Sequence, residues 1–149
     1  MKIYTSYFYK VRFFKPNQLG FSTAKWDPKW FHENQGQEHI FLDKRGVLNG
    51  LRASVFAPIN TDCGGQKNCS MDPASCSFIK AYSEQLSKLD FDLIMRAFEH
   101  KVNILTDKGF LTEEPDIILL VHEAPTNPCS ERVPIQEWFQ SHGVEVTEL

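Results

Sequence analysis

No apolar run in these 149 residues approaches the roughly 18–20 that a membrane-spanning helix requires, so no span is expected. The opening MKIYTSYFYK has a single early lysine, Lys2, and no long apolar stretch, so it does not read as a secretory signal. A cytoplasmic protein without membrane partners is the expectation. A basic excess is also missing. Sixteen Lys and Arg stand against nineteen Asp and Glu, a net charge of −3. That argues against a sequence-independent nucleic-acid binder but leaves room for a local basic patch. Cysteine is scarce: four are too few for a disulfide scaffold. They form no Cys-x2-Cys knuckle, and no two of the five histidines have an i, i+4 metal-ligand spacing. Internal repeats and low-complexity runs are absent too.

What is present is core material. The chain is 42% apolar and 23% charged, enough apolar matter for one packed domain spanning residues 1–149. Lys2–Tyr9 and Asn17–Thr23 read as strands from their β-branched and aromatic content, with Gly20 a weak point in the second. Asp27 followed by Pro28 predicts a short helix to about Glu33. His39–Asp43 and Gly46–Phe56 read as β-structure around a turn at Asp43–Gly46. Thr61–Ser75 is a long irregular loop, which in a small domain usually serves function. Asp72–Pro73 predicts a helix to about Lys88. Asp90 caps a second helix, whose Phe91, Ile94, Met95, Phe98 and Val102 share one face, and the two helices are expected to form a hairpin or an angled pair.

Asp116–Val146 is the organising stretch. Ile117–Val121 is a continuous apolar run, as in a strand covered on both faces. A loop with Glu123, Cys129, Ser130 and Arg132 follows, then an amphipathic helix carrying Ile135, Trp138 and Phe139 and stopped by Gly143. A short strand closes the chain. The order of elements predicts an α/β fold: a three-layer Rossmann-like sandwich with a mixed sheet and a β-hairpin insertion.

The β-run, glutamate, Pro-containing loop, cysteine, arginine and helix resemble the C-terminal signature of the domain-of-unknown-function family 488. There a strand leads to Glu and then Cys-His-Arg. The matching residues here are Glu123, Cys129 and Arg132. Cys129-Ser130-Glu131-Arg132 replaces the triplet, so the histidine is absent and the spacing is one residue longer. IYTSYF resembles the family's first strand, and FSTAKWDPKWF and GVLNGLR resemble one of its branches. The resemblance implies a Rossmann-like α/β fold and no defined activity.

Three candidate chemistries arise. A thiol near a helix N-terminus and a guanidinium is stabilised as thiolate, and free N–H groups there favour an oxyanion. Cys129, Glu123 and Arg132 are therefore the candidate catalytic residues, at the end of a strand where open α/β sheets bind ligands. The plain alternative makes Cys129 a core filler and Arg132 an ion-pair partner of Glu123 or Glu131. Ser6, Tyr4, Ser130 and Arg52 are candidate ligand contacts, with Ser6 expected in the same crevice as Glu123. Cys63, Cys69 and Cys76, spaced C-x5-C-x6-C, form a candidate metal set for zinc or an iron–sulfur cluster, with Cys129 or a histidine completing it. Trp26, Trp30 and Phe31, beside Lys25 and Lys29, can stack a base. At 13% aromatic content, core packing is the favoured reading of that cluster.

The functional expectation is a domain that binds a phosphate-bearing small molecule or nucleotide at the loop after Ile117–Val121, with turnover an open question. The alternative is a non-catalytic module that sequesters a nucleotide or contacts a nucleic-acid or protein partner.

Overall fold

The computed structural model describes residues 1–32, 40–60 and 72–149. Five short strands form one wholly parallel sheet, and it is organised around the apolar run. They are β1 (Ile3–Tyr7), β2 (Gln18–Ser22), β5 (Leu51–Arg52), β6 (Asp116–Val121) and β7 (Val146–Glu148), in the order β5-β2-β6-β1-β7. β6 takes the centre because both its faces are apolar. Ile117, Ile118, Leu119 and Leu120 are all fully buried. The antiparallel component is a separate hairpin of β3 (Phe41–Leu42) and β4 (Leu48–Asn49), turned at Asp43–Gly46 as the sequence predicts. Gly46 adopts a positive φ of 79° there. Asp43 fixes the turn by accepting from the backbone N–H groups of Arg45 and Val47. Gly50 then redirects the chain from the hairpin into β5.

Side chains alternate across the sheet, so two cores form. On the first face Ile3, Leu19, Phe21, Leu51, Ile117, Leu119 and Val121 meet three helices: α1 (Ser77–Ser87), α2 (Phe91–Asp107) and α3 (Arg132–Ser141). Asp90 caps α2 through the Leu93 N–H, as expected. α1 packs chiefly on α3 rather than pairing with α2 as a hairpin. The Tyr82 hydroxyl of α1 donates to the Phe56 carbonyl at 2.6 Å and ties that helix to the turn after β5. The predicted helix from Asp72 breaks at Cys76. A 3-10 turn over Pro73–Ser75 comes first, and buried Cys76 is the N-cap of α1.

On the second face Ile118 and Leu120 meet Phe8, Val11, Phe14, Ala24, Phe31 and Val47. This layer is built from 3-10 turns at Phe8–Phe13 and Lys29–Phe31 and from the hairpin. The sandwich is Rossmann-like, with its α-helices on one face and tight turns on the other. The expected strand Lys2–Tyr9 ends at Tyr7, where Phe8 turns down into the second core. The expected helix from Pro28 is a single 3-10 turn. Its Asp27 caps nothing, because tertiary partners occupy its carboxylate. Nor does the tryptophan cluster pack inward as expected. Phe31 is buried, whereas Trp26 is 77% and Trp30 52% exposed.

Gly20 is a requirement rather than a weakness. A Cβ there would lie 2.9 Å from Leu120 Cδ1 and 3.2 Å from Phe14 Cε2. Gly20→Ala is expected to cost about 1–3 kcal/mol by overpacking the second core, read by urea denaturation. An unchanged midpoint would contradict this packing.

Candidate functional site

Chain direction makes the carboxyl end of β6 a crevice. After β1 and β2 the chain turns to the second face, where Phe8, Val11, Ala24 and Phe31 are buried. After β5 and β6 it turns to the first, where Phe56, Ile135 and Phe139 are buried. β6 lies between β1 and β2, so neighbouring loops part on either side of its end, as at the ligand sites of open α/β sheets.

Polar groups gather at this edge on both faces. On the first face, Arg132 is the hub. It is 5% exposed, and its donors are directed inward. Nε donates to Glu148 Oε1 at 2.9 Å, Nη1 to the Ala124 carbonyl at 2.9 Å and Nη2 to the Glu123 carbonyl at 2.6 Å. Thr5 Oγ1 also donates to Glu148 Oε1, at 2.8 Å, and accepts from Gln136 Nε2 at 2.7 Å. Arg132 thus ties the loop after β6 to the end of β7. Its acidic partner is Glu148, not the Glu123 or Glu131 carboxylate that sequence proximity offers.

Beside this hub the Glu131 carboxyl is buried next to that of Glu123. Two carboxyl groups so placed repel when both are ionised, which favours one of them carrying a proton. Burial first, and then the neighbouring Glu123 carboxyl, push Glu131 up to about 8, against the opposing pulls of its own backbone N–H and, more weakly, of Arg132. Glu131 is half-exposed as a residue, but its Oε2 is buried. Glu131 occupies the N-cap position of α3 with no side-chain capping bond to the helix, which leaves its carboxyl beside Glu123. Burial, and secondarily Glu131, raise the Tyr82 phenol well above its ordinary value.

Ser130 is fully buried, and its Oγ accepts from the Arg132 N–H at 3.3 Å, which places it inside the turn. Cys129 is half-buried, and its backbone N–H donates to Asn127 Oδ1 at 2.9 Å. The residue after Arg132 but one is Pro134, which has no N–H to offer an anion.

On the second face lies a group centred on Asp27, whose side chain is 2% exposed. Ser22 Oγ donates to its Oδ1. His32 Nε2 meets Oδ2 at 2.6 Å, and Arg52 Nε lies 3.7 Å from Oδ2. Arg52 Nη2 donates to the Ala24 carbonyl at 3.3 Å. Strand alternation puts Ser6 and Tyr4 on this face, away from the Glu123 carboxyl, so the expected shared crevice of Ser6 and Glu123 does not form. Tyr4 packs against the second core. His122, one residue before Glu123, also points this way, with its ring 4.9 Å from Phe8 and Nε2 against the Trp26 carbonyl.

Six buried side-chain atoms find no hydrogen-bond partner among the described residues: Ser6 Oγ, His32 Nδ1, Arg52 Nε, and Oε2 of Glu123, Glu131 and Glu148. All belong to residues at this carboxyl edge or in the loops that leave it. Buried polar atoms are ordinarily satisfied, so such a concentration makes this edge the candidate site.

The sequence reading missed Glu131, Asp27, Ser22, His32 and Glu148. Asp27 was legible only as a cap, and Glu131 only as a partner for Arg132. Cys63 and Cys69 lie outside the described residues. Among the described residues no group of three or more His, Cys, Asp or Glu side chains is placed to hold a metal ion. No described helix is long and apolar enough to cross a membrane. Set against known proteins, the chain matches no family model, no curated protein and no solved structure.

Proposed function

We propose that this chain is a member of the domain-of-unknown-function family 488. In this reading it binds a phosphate-bearing small molecule, of nucleotide class, at the carboxyl end of β6 and turns it over by proton transfer at Glu131. The observation that carries the reading is the Glu123–Glu131 pair beside the end of a central parallel strand. A carboxyl held protonated near neutral pH is a general acid, and after donating its proton it is a base. The anion contact passes from Arg132, whose donors serve the fold, to Arg52, whose Nε is ion-paired with Asp27 at 3.7 Å but has no hydrogen-bond partner among the described residues.

The test is incubation with a panel of nucleotides and phosphate esters, followed by chromatography for new products and by thermal shift for binding. The reading expects one ligand class to be consumed. It expects Glu131→Gln to keep binding while turnover falls by about 10²–10⁴-fold. Neither shift nor product across the panel overturns it. Binding without product supports the second reading, a non-catalytic nucleotide-sequestering module. That reading is favoured by one observation: Arg132 serves as a fastening of the loop. Zinc or iron–sulfur ligation by Cys63, Cys69 and Cys76 is a separate proposal, tested by metal analysis of untagged protein, where a molar ratio near zero rejects it.

A further inference from the structure

The net charge of −3 hides a strong asymmetry. Residues 1–60 hold nine Lys and Arg against four Asp and Glu, while residues 61–149 hold seven against fifteen. The basic part builds the layer on the second face. Its buried residues, Phe8, Val11, Phe14, Ala24, Phe31 and Val47, enter the second core. Its outward residues are therefore the outer surface of that layer. They include the exposed cations Arg12, Lys15, Lys25, Lys29, Lys44 and Arg45. Among the described residues of this part there are two acids. Asp27 is buried with His32, and Asp43 is bonded to Arg45 at 2.7 Å. The surface thus offers cations with little opposing charge.

Large aromatic side chains are interleaved with those cations. Tyr9 is 54%, Phe13 65%, Trp26 77% and Trp30 52% exposed. Four such rings on one layer are far more than scattered surface hydrophobics. A groove of about 360 Å³ opens between two of them, Tyr9 and Trp30, lined also by Arg12, Phe41, Arg45 and Asp43, whose carboxylate is bonded to Arg45. Its aromatic walls are set: Trp30 packs edge-on against Phe8 at 6.3 Å, and the Arg12 guanidinium covers one face of Tyr9 at 3.8 Å.

We propose that this second-face surface binds single-stranded nucleic acid, with unpaired bases stacking on Trp30 and Tyr9 and the phosphate backbone following Lys25, Lys29, Lys44 and Arg12. Charge and shape together select this occupant. An acidic peptide would satisfy the cations but not four exposed rings. A duplex would satisfy the cations but hides its base faces. Unpaired bases on a polyanionic backbone answer both features. This surface is separate from the Glu123–Glu131 pair, so it stands or falls independently of the reading above.

The test is fluorescence anisotropy of the intact protein with labelled single-stranded DNA and RNA oligonucleotides of about ten nucleotides, a length within one stacking platform's usual site size. A duplex of equal length and vesicles of neutral and anionic phospholipid are the comparisons. Binding of a single strand is expected, tighter than the duplex, and weakened at least tenfold between about 50 and about 200 mM salt. Trp30→Ala and Tyr9→Ala are each expected to weaken it by about tenfold, with Trp30→Phe close to the parent. The Lys25→Glu, Lys29→Glu double variant should weaken it further and flatten the salt dependence, with an unchanged circular dichroism spectrum. No single-strand binding at low salt overturns the proposal. So does equal affinity for the duplex, indifference to all these variants, or binding to anionic vesicles alone.

Discussion

Glu131→Gln is expected to make the protein more stable than the parent at pH 8 and no more stable at pH 4. In the folded chain Glu131 keeps its proton up to about 8, against an ordinary value of 4.5. Between those values the unfolded chain has released this proton and the folded chain has not. Raising the pH therefore favours unfolding by about 1.4 kcal/mol per unit, and the loss levels off above the folded value. The penalty summed over this window is on the order of 4 kcal/mol. Glutamine keeps the shape of the neutral carboxyl and can donate to Glu123, but it has no proton to lose. The difference between variant and parent should grow from near zero at pH 4 to several kcal/mol at pH 8, read by urea denaturation across the range. Parallel pH profiles would contradict the buried pair. If Glu131 is the general acid proposed above, the same group would also make the fold sensitive to base.

The second large effect is expected at Arg132. Its guanidinium donates to Glu148 Oε1 and to the Ala124 and Glu123 carbonyls from a position almost wholly removed from solvent. Arg132→Ala leaves the Glu148 carboxylate without its counter-charge and frees two loop carbonyls. Breaking a buried ion pair from one side costs about 3–5 kcal/mol. Arg132→Lys should recover only part of this, because an ammonium cannot reach acceptors spread around a planar fork. Glu148→Gln should cost less than Arg132→Ala, since an amide oxygen can still accept from Nε. A loss below about 1 kcal/mol for Arg132→Ala would show that the loop after β6 is held by something else.

Local chemistry was what the sequence made legible. The unbroken apolar run Ile117–Val121 marks a doubly covered strand, and that strand lies at the centre of the sheet. Asp43–Gly46 and Asp90 act where they stand, as a hairpin turn and a helix cap. The place of the candidate site was an expectation of the same kind, because a strand end followed by a polar loop is a local pattern. Its wiring was not. Asp27-Pro28 has the form of a helix start, yet Ser22, His32 and Arg52 converge on the Asp27 carboxylate. Arg132 has three glutamates within nine residues, Glu123, Glu131 and Glu137, but pairs with Glu148, because β7 enters the sheet beside β1. Glu131 acquires its proton from burial next to Glu123, and sequence spacing carries no measure of burial. Trp26 and Trp30 have the composition of a core and the position of a surface.

The central claim is that one carboxyl at the carboxyl end of β6 holds a proton at neutral pH. Carbon-detected NMR titration of protein labelled at the glutamate carboxyl carbon measures this directly, with Glu131→Gln supplying the assignment. A resonance that titrates with a midpoint near 8 and is missing from the variant is expected. If every glutamate titrates near the ordinary 4.5, the proton-sharing pair does not exist and the site has no acid to offer.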